Sequence, residues 1–181
     1  MKVWILIFVC MFSMPLLVAV LHFRMRKGQI LKIKQDYVKN ARYFGRSFSA
    51  LVEKALPEMK NGMIMLSRQE KVLETDGKQE FVQPEIEDLV IARNTIFCPQ
   101  QEDLHFQKEI YSEKDALFVK ENIRLRAVYS KKRIVFGNKI RLLRWADAEH
   151  AVAVYDECDL GERVSSGEQL VIGFDNIFHS L

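Results

Sequence analysis

From Ile110 to the end of the chain, apolar and polar residues alternate with period two, and the alternation recurs every 18 residues. Segments beginning at Ile110, Val128, Ala146 and Val164 align without gaps. Ala116, Ile134, Val152 and Leu170 then share a column, as do Phe118, Phe136, Val154 and Ile172. Ser112, Ser130, Ala148 and Ser166 form a column of small residues. All these columns lie on one parity, as strands with one buried side require. A fixed period near twenty residues with period-two alternation inside each unit predicts a β-solenoid. The competing expectation is an antiparallel β-sandwich, which gives no reason for gapless spacing over four units.

The charged residues keep the same register. Glu113, Lys131 and Glu149 share a column, Glu121, Lys139 and Glu157 another, and Asp115 lies over Arg133. Strands stacked ~4.8 Å apart bring such pairs together on the solvent side. Each is worth only about 0–1 kcal/mol, so its value is as a marker of register. Leu89 to Phe97 reads as a first, irregular turn, with Ile91 over Tyr111 at a spacing of 20. Terminal repeats commonly depart from the pattern in this way.

Upstream, Ser47 is the expected N-cap of a helix carrying Phe48, Leu51, Val52, Ala55 and Leu56 at helical spacing, ended by Pro57. Its apolar face predicts packing, most simply on an end of the solenoid. Met63–Leu66 and Lys71–Glu74 are expected as short strands around a tight connection, and Thr75–Glu80 as a mobile loop.

The first apolar stretch is different in kind. Val3–Phe23 holds 21 residues without an ionised side chain, enough to cross a bilayer as a helix. A cleaved signal peptide is the alternative, but Leu16 to His22 offers a poor cleavage site. Arg24, Arg26, Lys27, Lys32 and Lys34 follow, a flank that places the rest of the chain in the cytoplasm and could rest on anionic headgroups. The expected organisation is a transmembrane anchor at 1–23, a basic juxtamembrane segment at 24–46, a helix with short strands at 47–84, and the solenoid at 85–181. The fold class is mainly β: a single-stranded β-solenoid preceded by one transmembrane helix and a small α/β segment.

Composition narrows the chemistry. With 27 basic and 24 acidic residues the net charge is +3, and the basic excess is local, so nucleic acid is not an expected partner. Cys10, Cys98 and Cys158 have no metal-ligand spacing and suit free thiols in a reducing compartment. None of the four histidines has metal-ligand partners, and His150 falls in a solvent-facing column with Lys114, Lys132 and Glu168. Arg141, Arg144 and Trp145 cluster near a corner, Trp145 expected to pack and the arginines to be solvated. No nucleotide-binding or hydrolase motif is present, so no catalytic, cofactor-binding or metal residues are assigned.

Phe174, Ile177 and Phe178 are apolar where a solenoid usually carries a polar cap. Unpaired strand edges there invite a second copy, so these three residues are the expected self-association end.

The segments Ile110 to Val119, Val128 to Gly137 and Arg144 to Glu149 resemble the bactofilins, polymer-forming bacterial cytoskeletal proteins. The resemblance is closest to membrane-anchored relatives, and Tyr43 to Phe48 shares in it. It implies a compact β-helix that assembles end to end without nucleotide at the cytoplasmic face of the bacterial inner membrane. It also implies a scaffolding role, with itself, the membrane and other envelope or cytoskeletal proteins as partners. Two other functions compete. Hexapeptide-type acyltransferases also use 18 residues per turn, but their glycine-containing hexads are absent here. An envelope interaction module would need the opposite orientation, against the basic flank.

Overall fold

The computed structural model describes residues 40–76, 81, 83–97 and 103–179, and of the first 39 only Trp4, 11–15, 17, 18 and 20. The chain divides into two compact units, Met1–Lys34 and Gln35–Leu181. In the first, every described residue is helical, and Trp4, Met11, Phe12, Met14, Leu17, Val18 and Val20 are exposed. Among the described residues no helix is long and apolar enough to cross a membrane. Most of the expected Val3–Phe23 span lies outside the described residues. So do Arg24, Arg26, Lys27, Lys32 and Lys34, and most of the expected Thr75–Glu80 loop.

The second unit is a β-solenoid of about five turns with about 18 residues each. Every turn crosses three faces. Face one stacks β3 (Glu85–Ile86), the first parts of β6 (His105–Ser112), β8 (Arg124–Ser130) and β10 (Arg141–Ala148), then β12 (Asp159–Leu160) and β15 (Ile177–Phe178). Face two stacks β2 (Gln69–Thr75), β4 (Leu89–Ala92), the later parts of β6, β8 and β10, and β13 (Arg163–Ser166). Face three stacks β5 (Ile96–Phe97), β7 (Ala116–Phe118), β9 (Arg133–Phe136), β11 (Ala151–Val154) and β14 (Gln169–Ile172). All these pairings are parallel.

The register is the one read from the sequence. Ile110, Val128, Ala146 and Val164 pair in succession, and so do Ala116, Ile134, Val152 and Leu170. Ile91 pairs with Tyr111, across the expected spacing of 20. The small-residue column has a local cause, because it marks the corner between faces two and three. There Ser130 Oγ–H lies between the carbonyls of Lys114 (2.5 Å) and Arg133 (3.1 Å) while its oxygen accepts the Lys132 N–H (3.0 Å), satisfying a backbone turning too sharply to pair with itself. The opposite bend, from face one to face two, shifts the register between Phe106 and Glu109 and between Leu142 and Trp145. The charge ladder also forms: Asp115 meets Arg133 (2.7 Å) and Glu121 meets Lys139 (3.0 Å).

The interior is a stack of apolar side chains in which the Phe118 and Phe136 rings lie nearly parallel, 6.0 Å apart. A second core lies outside the solenoid, on face two. There α1 (Tyr43–Ala55) covers Tyr111, Ala127, Tyr129 and Trp145, with Phe48 edge-on to Trp145 at 5.6 Å. The helix therefore packs on the flank of the solenoid rather than on its end. The reason is that face two is apolar on both parities, so it needs a cover.

The helix also starts earlier than expected. Ser47 lies inside it, and the N-cap is Arg42, whose N–H is held by Asn40 Oδ1 (2.9 Å). Pro57 ends it as foreseen, within a single 3-10 turn at Leu56–Glu58. The short strands form an antiparallel hairpin of β1 (Met63–Met65) with β2, tied by Met63 to Lys71 and Met65 to Gln69. Thr75 is the buried last residue of β2.

Candidate self-association site

The two ends of the solenoid are finished differently. At the N-terminal end, β2 extends face two beyond β4, and β1 extends it one strand further. Phe81, buried, plugs the interior there, its ring edge-on to Phe106 at 5.1 Å.

At the C-terminal end no described strand lies beyond β13, β14 or β15. The columns show what this costs. Ala116, Ile134 and Val152 are 0% exposed, while Leu170 in the same column is 43% exposed. Phe118 and Phe136 are 0% exposed and Val154 2%, while Ile172 is 40% exposed. The three residues singled out in the sequence lie on the same turn, Phe174 at 81%, Ile177 at 59% and Phe178 at 43%. Leu170, Ile172 and Phe178 thus stand in columns covered in the preceding turns, Leu160 beneath Phe178 being 0% exposed, whereas Ile177 follows Asp159 and Phe174 follows Asp156 in solvent-facing columns.

This last turn is nonetheless well fixed to the one before it. Asp156 Oδ1 accepts the Phe174 N–H (2.8 Å), and Asn176 Oδ1 accepts the Cys158 N–H (2.8 Å). Asn176 Nδ2 is buried and, among the described residues, has no hydrogen-bond acceptor. A donor left unmade in that way is costly unless something beyond the turn accepts it.

The flank of face two carries the strongest buried electrostatics. Asp147, 1% exposed, points outward from β10 beneath α1, where Arg42 Nε donates to it (2.8 Å) and Ser165 Oγ–H donates as well (2.9 Å). Burial is the main influence on Asp147 and pushes its carboxyl above the usual range, against the pull of Arg42. The close approach requires Gly45, since a Cβ there would overlap the Asp147 side chain. Beside it, Lys131 meets Glu53 of α1 (2.9 Å), and the hydrogen bond from Lys131 holds the Glu53 carboxyl below its usual range. Tyr111 donates to Glu53 (3.2 Å), and desolvation pushes its hydroxyl up to about 12. In the column Glu113, Lys131, Glu149, the last two are thus engaged by the helix and its N-cap, Glu149 meeting Arg42 at 3.1 Å.

These groups set the response to acid. Glu53 and, through its bond with Arg133, Asp115 have lowered carboxyl pKa values, so their stabilisation is present above about pH 4.5 and is lost as pH falls through the lowered values. Asp147 acts with the opposite sign, because its raised pKa lets the native state take its proton first. The expected result is a urea midpoint that falls between pH 5 and pH 3, with a shallower fall in Glu53→Gln. A midpoint that rises on acidification would mean that Asp147 dominates.

Sites of other chemistry are weak. A face-one groove of about 370 Å³ is lined by His105, Arg124, Arg126 and Arg141 among others, but Glu109 takes Arg126 (3.2 Å) and Asp159 takes Arg141 (3.2 Å). His150 Nδ1 lies 2.7 Å from Glu168 in the solvent-facing column foreseen for it, and Arg144 sits 3.8 Å from Glu109. Cys158 is buried, its thiol donating to the Gly137 carbonyl (3.0 Å), and desolvation pushes its pKa up, an inert arrangement. Among the described residues no three His, Cys, Asp or Glu side chains gather to hold a metal.

The second unit is thus a β-solenoid whose last described turn has no described strand beyond it. No family model, curated protein or solved structure matches it.

Proposed function

We propose that this chain is a non-catalytic, membrane-anchored scaffold whose solenoid self-associates through its C-terminal end, in the manner of the bactofilins it resembles. The observation that carries the reading is the step in burial at the last turn, from 0% at Val152 to 43% at Leu170 in one column. Exposed apolar edges of that kind are the usual template for pairing with another strand. The membrane part is supported by the uncharged stretch Val3–Phe23 and by the exposed apolar helical residues within it. The following basic flank, Arg24 to Lys34, supports a solenoid on the cytoplasmic side of the bacterial inner membrane.

The test uses the full chain in neutral detergent, with molar mass followed by light scattering across a range of concentrations. The expected result is a concentration-dependent oligomer that Phe178→Arg weakens at least about tenfold, with an unchanged circular dichroism spectrum. A monomer at every concentration, or an oligomer indifferent to Phe178→Arg, would overturn the reading. Retention of the chain in membrane pellets washed with alkaline carbonate tests the anchor in parallel, and release into the wash would contradict it.

A further inference from the structure

The groove on face one lacks catalytic groups, but its shape and its charge both favour a bound partner. We propose that it is a docking site for an extended, acidic segment of another protein, held by the guanidiniums of Arg124, Arg126 and Arg141. The proposal is independent of self-association, because the groove lies on the flank of the solenoid and not on either end.

The shape comes from a mismatch between neighbouring strands. Two residues separate Phe106 from Glu109 on β6, and two separate Leu142 from Trp145 on β10. On β8, which lies between them, Arg126 alone separates Leu125 from Ala127, the partners of those same positions. Each neighbour therefore bulges by one residue beside a middle strand that does not. The groove of about 370 Å³ opens over this place, with Phe106 and Leu125 among its lining and Leu143, 60% exposed, on its β10 bank. Bulges re-aim side chains, and proteins place them preferentially beside active sites.

The charge differs from that of a ladder column such as Glu121, Lys139 and Glu157, whose signs alternate from turn to turn. Across the groove the column reads Glu85, His105, Arg124, Arg141, Asp159 on successive strands. Arg124, at the centre, therefore has a basic neighbour on both sides, an unfavourable arrangement for facing side chains. The acids nearby are already engaged. Glu85 accepts from Gln107 (3.2 Å), Asp159 meets Arg141 (3.2 Å), and Glu109 is shared by Arg126 (3.2 Å) and Arg144 (3.8 Å). Arg124 is exposed and forms no ion pair with any described residue.

These features select the occupant. A guanidinium fork matches a carboxylate in two-point contact, which an incoming acidic side chain can supply to Arg124. From β6 to β10 is roughly 10 Å, the length of about three extended residues. A chain with alternating acidic and apolar side chains would set its carboxylates toward the Arg124 column and an apolar group against Leu143. A lipid surface is a poorer match, because it is flat and because Glu85, Glu109 and Asp159, which flank the groove, would repel anionic headgroups.

The experiment places a photo-crosslinking benzoylphenylalanine at Leu143 in the full chain in neutral detergent and adds a biotinylated heptapeptide of alternating glutamate and leucine. The expected result is a light-dependent adduct at that residue, with a yield at least about tenfold lower for the glutamine version of the peptide and in Arg124→Glu. Arg124→Gln, which removes the charge without reversing it, should lower the yield by a smaller factor. Lys132→Glu makes the same reversal in the basic column at another corner, Lys114, Lys132 and His150, and should leave the yield unaltered. All variants should keep the circular dichroism spectrum of the parent. No adduct, equal adducts with both peptides, or an adduct indifferent to Arg124→Glu would overturn the proposal. Glycerophosphoserine, a soluble phospholipid headgroup, serves as competitor. If it suppresses the adduct at a lower concentration than unlabelled peptide does, the groove belongs to a phosphate headgroup and the proposal fails.

Discussion

Arg42→Ala is expected to lower stability by about 3 kcal/mol and to release α1 from face two. The Asp147 carboxylate it leaves behind is 1% exposed and would keep only Ser165 as a donor. Removing one partner of a buried pair costs about 3–5 kcal/mol, mostly as the penalty of the stranded charge rather than the worth of the bond. At the lower figure the melting temperature falls by roughly 6–12 °C for a chain of this size. Arg42→Ala combined with Asp147→Asn separates charge from packing. The amide is neutral and still reaches Ser165, so the double variant should recover most of the loss. If the double variant is no better than Arg42→Ala alone, the packing of the arginine stem rather than its charge holds the helix. Trp145 fluorescence reports undocking directly, because Phe48 of α1 leans edge-on against that ring.

Phe136→Ala is expected to cost about 3–5 kcal/mol, the usual range for emptying a fully buried phenylalanine site. Phe136 is 0% exposed and stacks on Phe118 within the central turns. The turns above and below are held by backbone pairing on both sides, β7 to β9 and β9 to β11, so the cavity cannot close by simple collapse. Each turn of a solenoid leans on its neighbours, and a central defect therefore weakens two interfaces at once. Urea unfolding would show a lower midpoint, and a second transition would show that the turns on either side had come apart. The same change at Phe174, which is 81% exposed, should leave monomer stability unaltered. Equal losses at the two positions would contradict the difference in burial between them.

The solenoid was readable because its evidence is local and repeated. A register error of one residue would put every column on the wrong side, so four gapless units define the turns without reference to any distant contact. The packing of α1 had a weaker signal. Leu89–Val90–Ile91–Ala92 and the pairs Ala127–Val128 and Trp145–Ala146 are apolar on both parities, which marks a face covered on both sides. Nothing in the spacing says which element provides the cover. Ser47 misled as a cap because its residue type fits, while the start is set by Asn40 and by the contact of Arg42 with Asp147, 105 residues away. A pair that distant leaves no periodic trace. The last described turn was legible as a run of apolar residues, yet only the stacking shows that Leu170, Ile172 and Phe178 occupy columns buried in the preceding turns while Ile177 lies over Asp159. Conversely, the N-terminal end was visible only as two short strands around a tight connection, and that the hairpin they form stands beyond the other faces is a matter of topology.

The central claim is that the last turn is completed by another molecule. Hydrogen exchange on the full chain in neutral detergent, followed by mass spectrometry at low and high protein concentration, tests it at the backbone itself. The amides of Gln169–Ile172 and Ile177–Phe178 should exchange rapidly when dilute and gain protection as concentration rises, while those of β8 to β11 stay protected throughout. Phe178→Arg should abolish the gain. Rapid exchange of the end strands at every concentration would contradict the account.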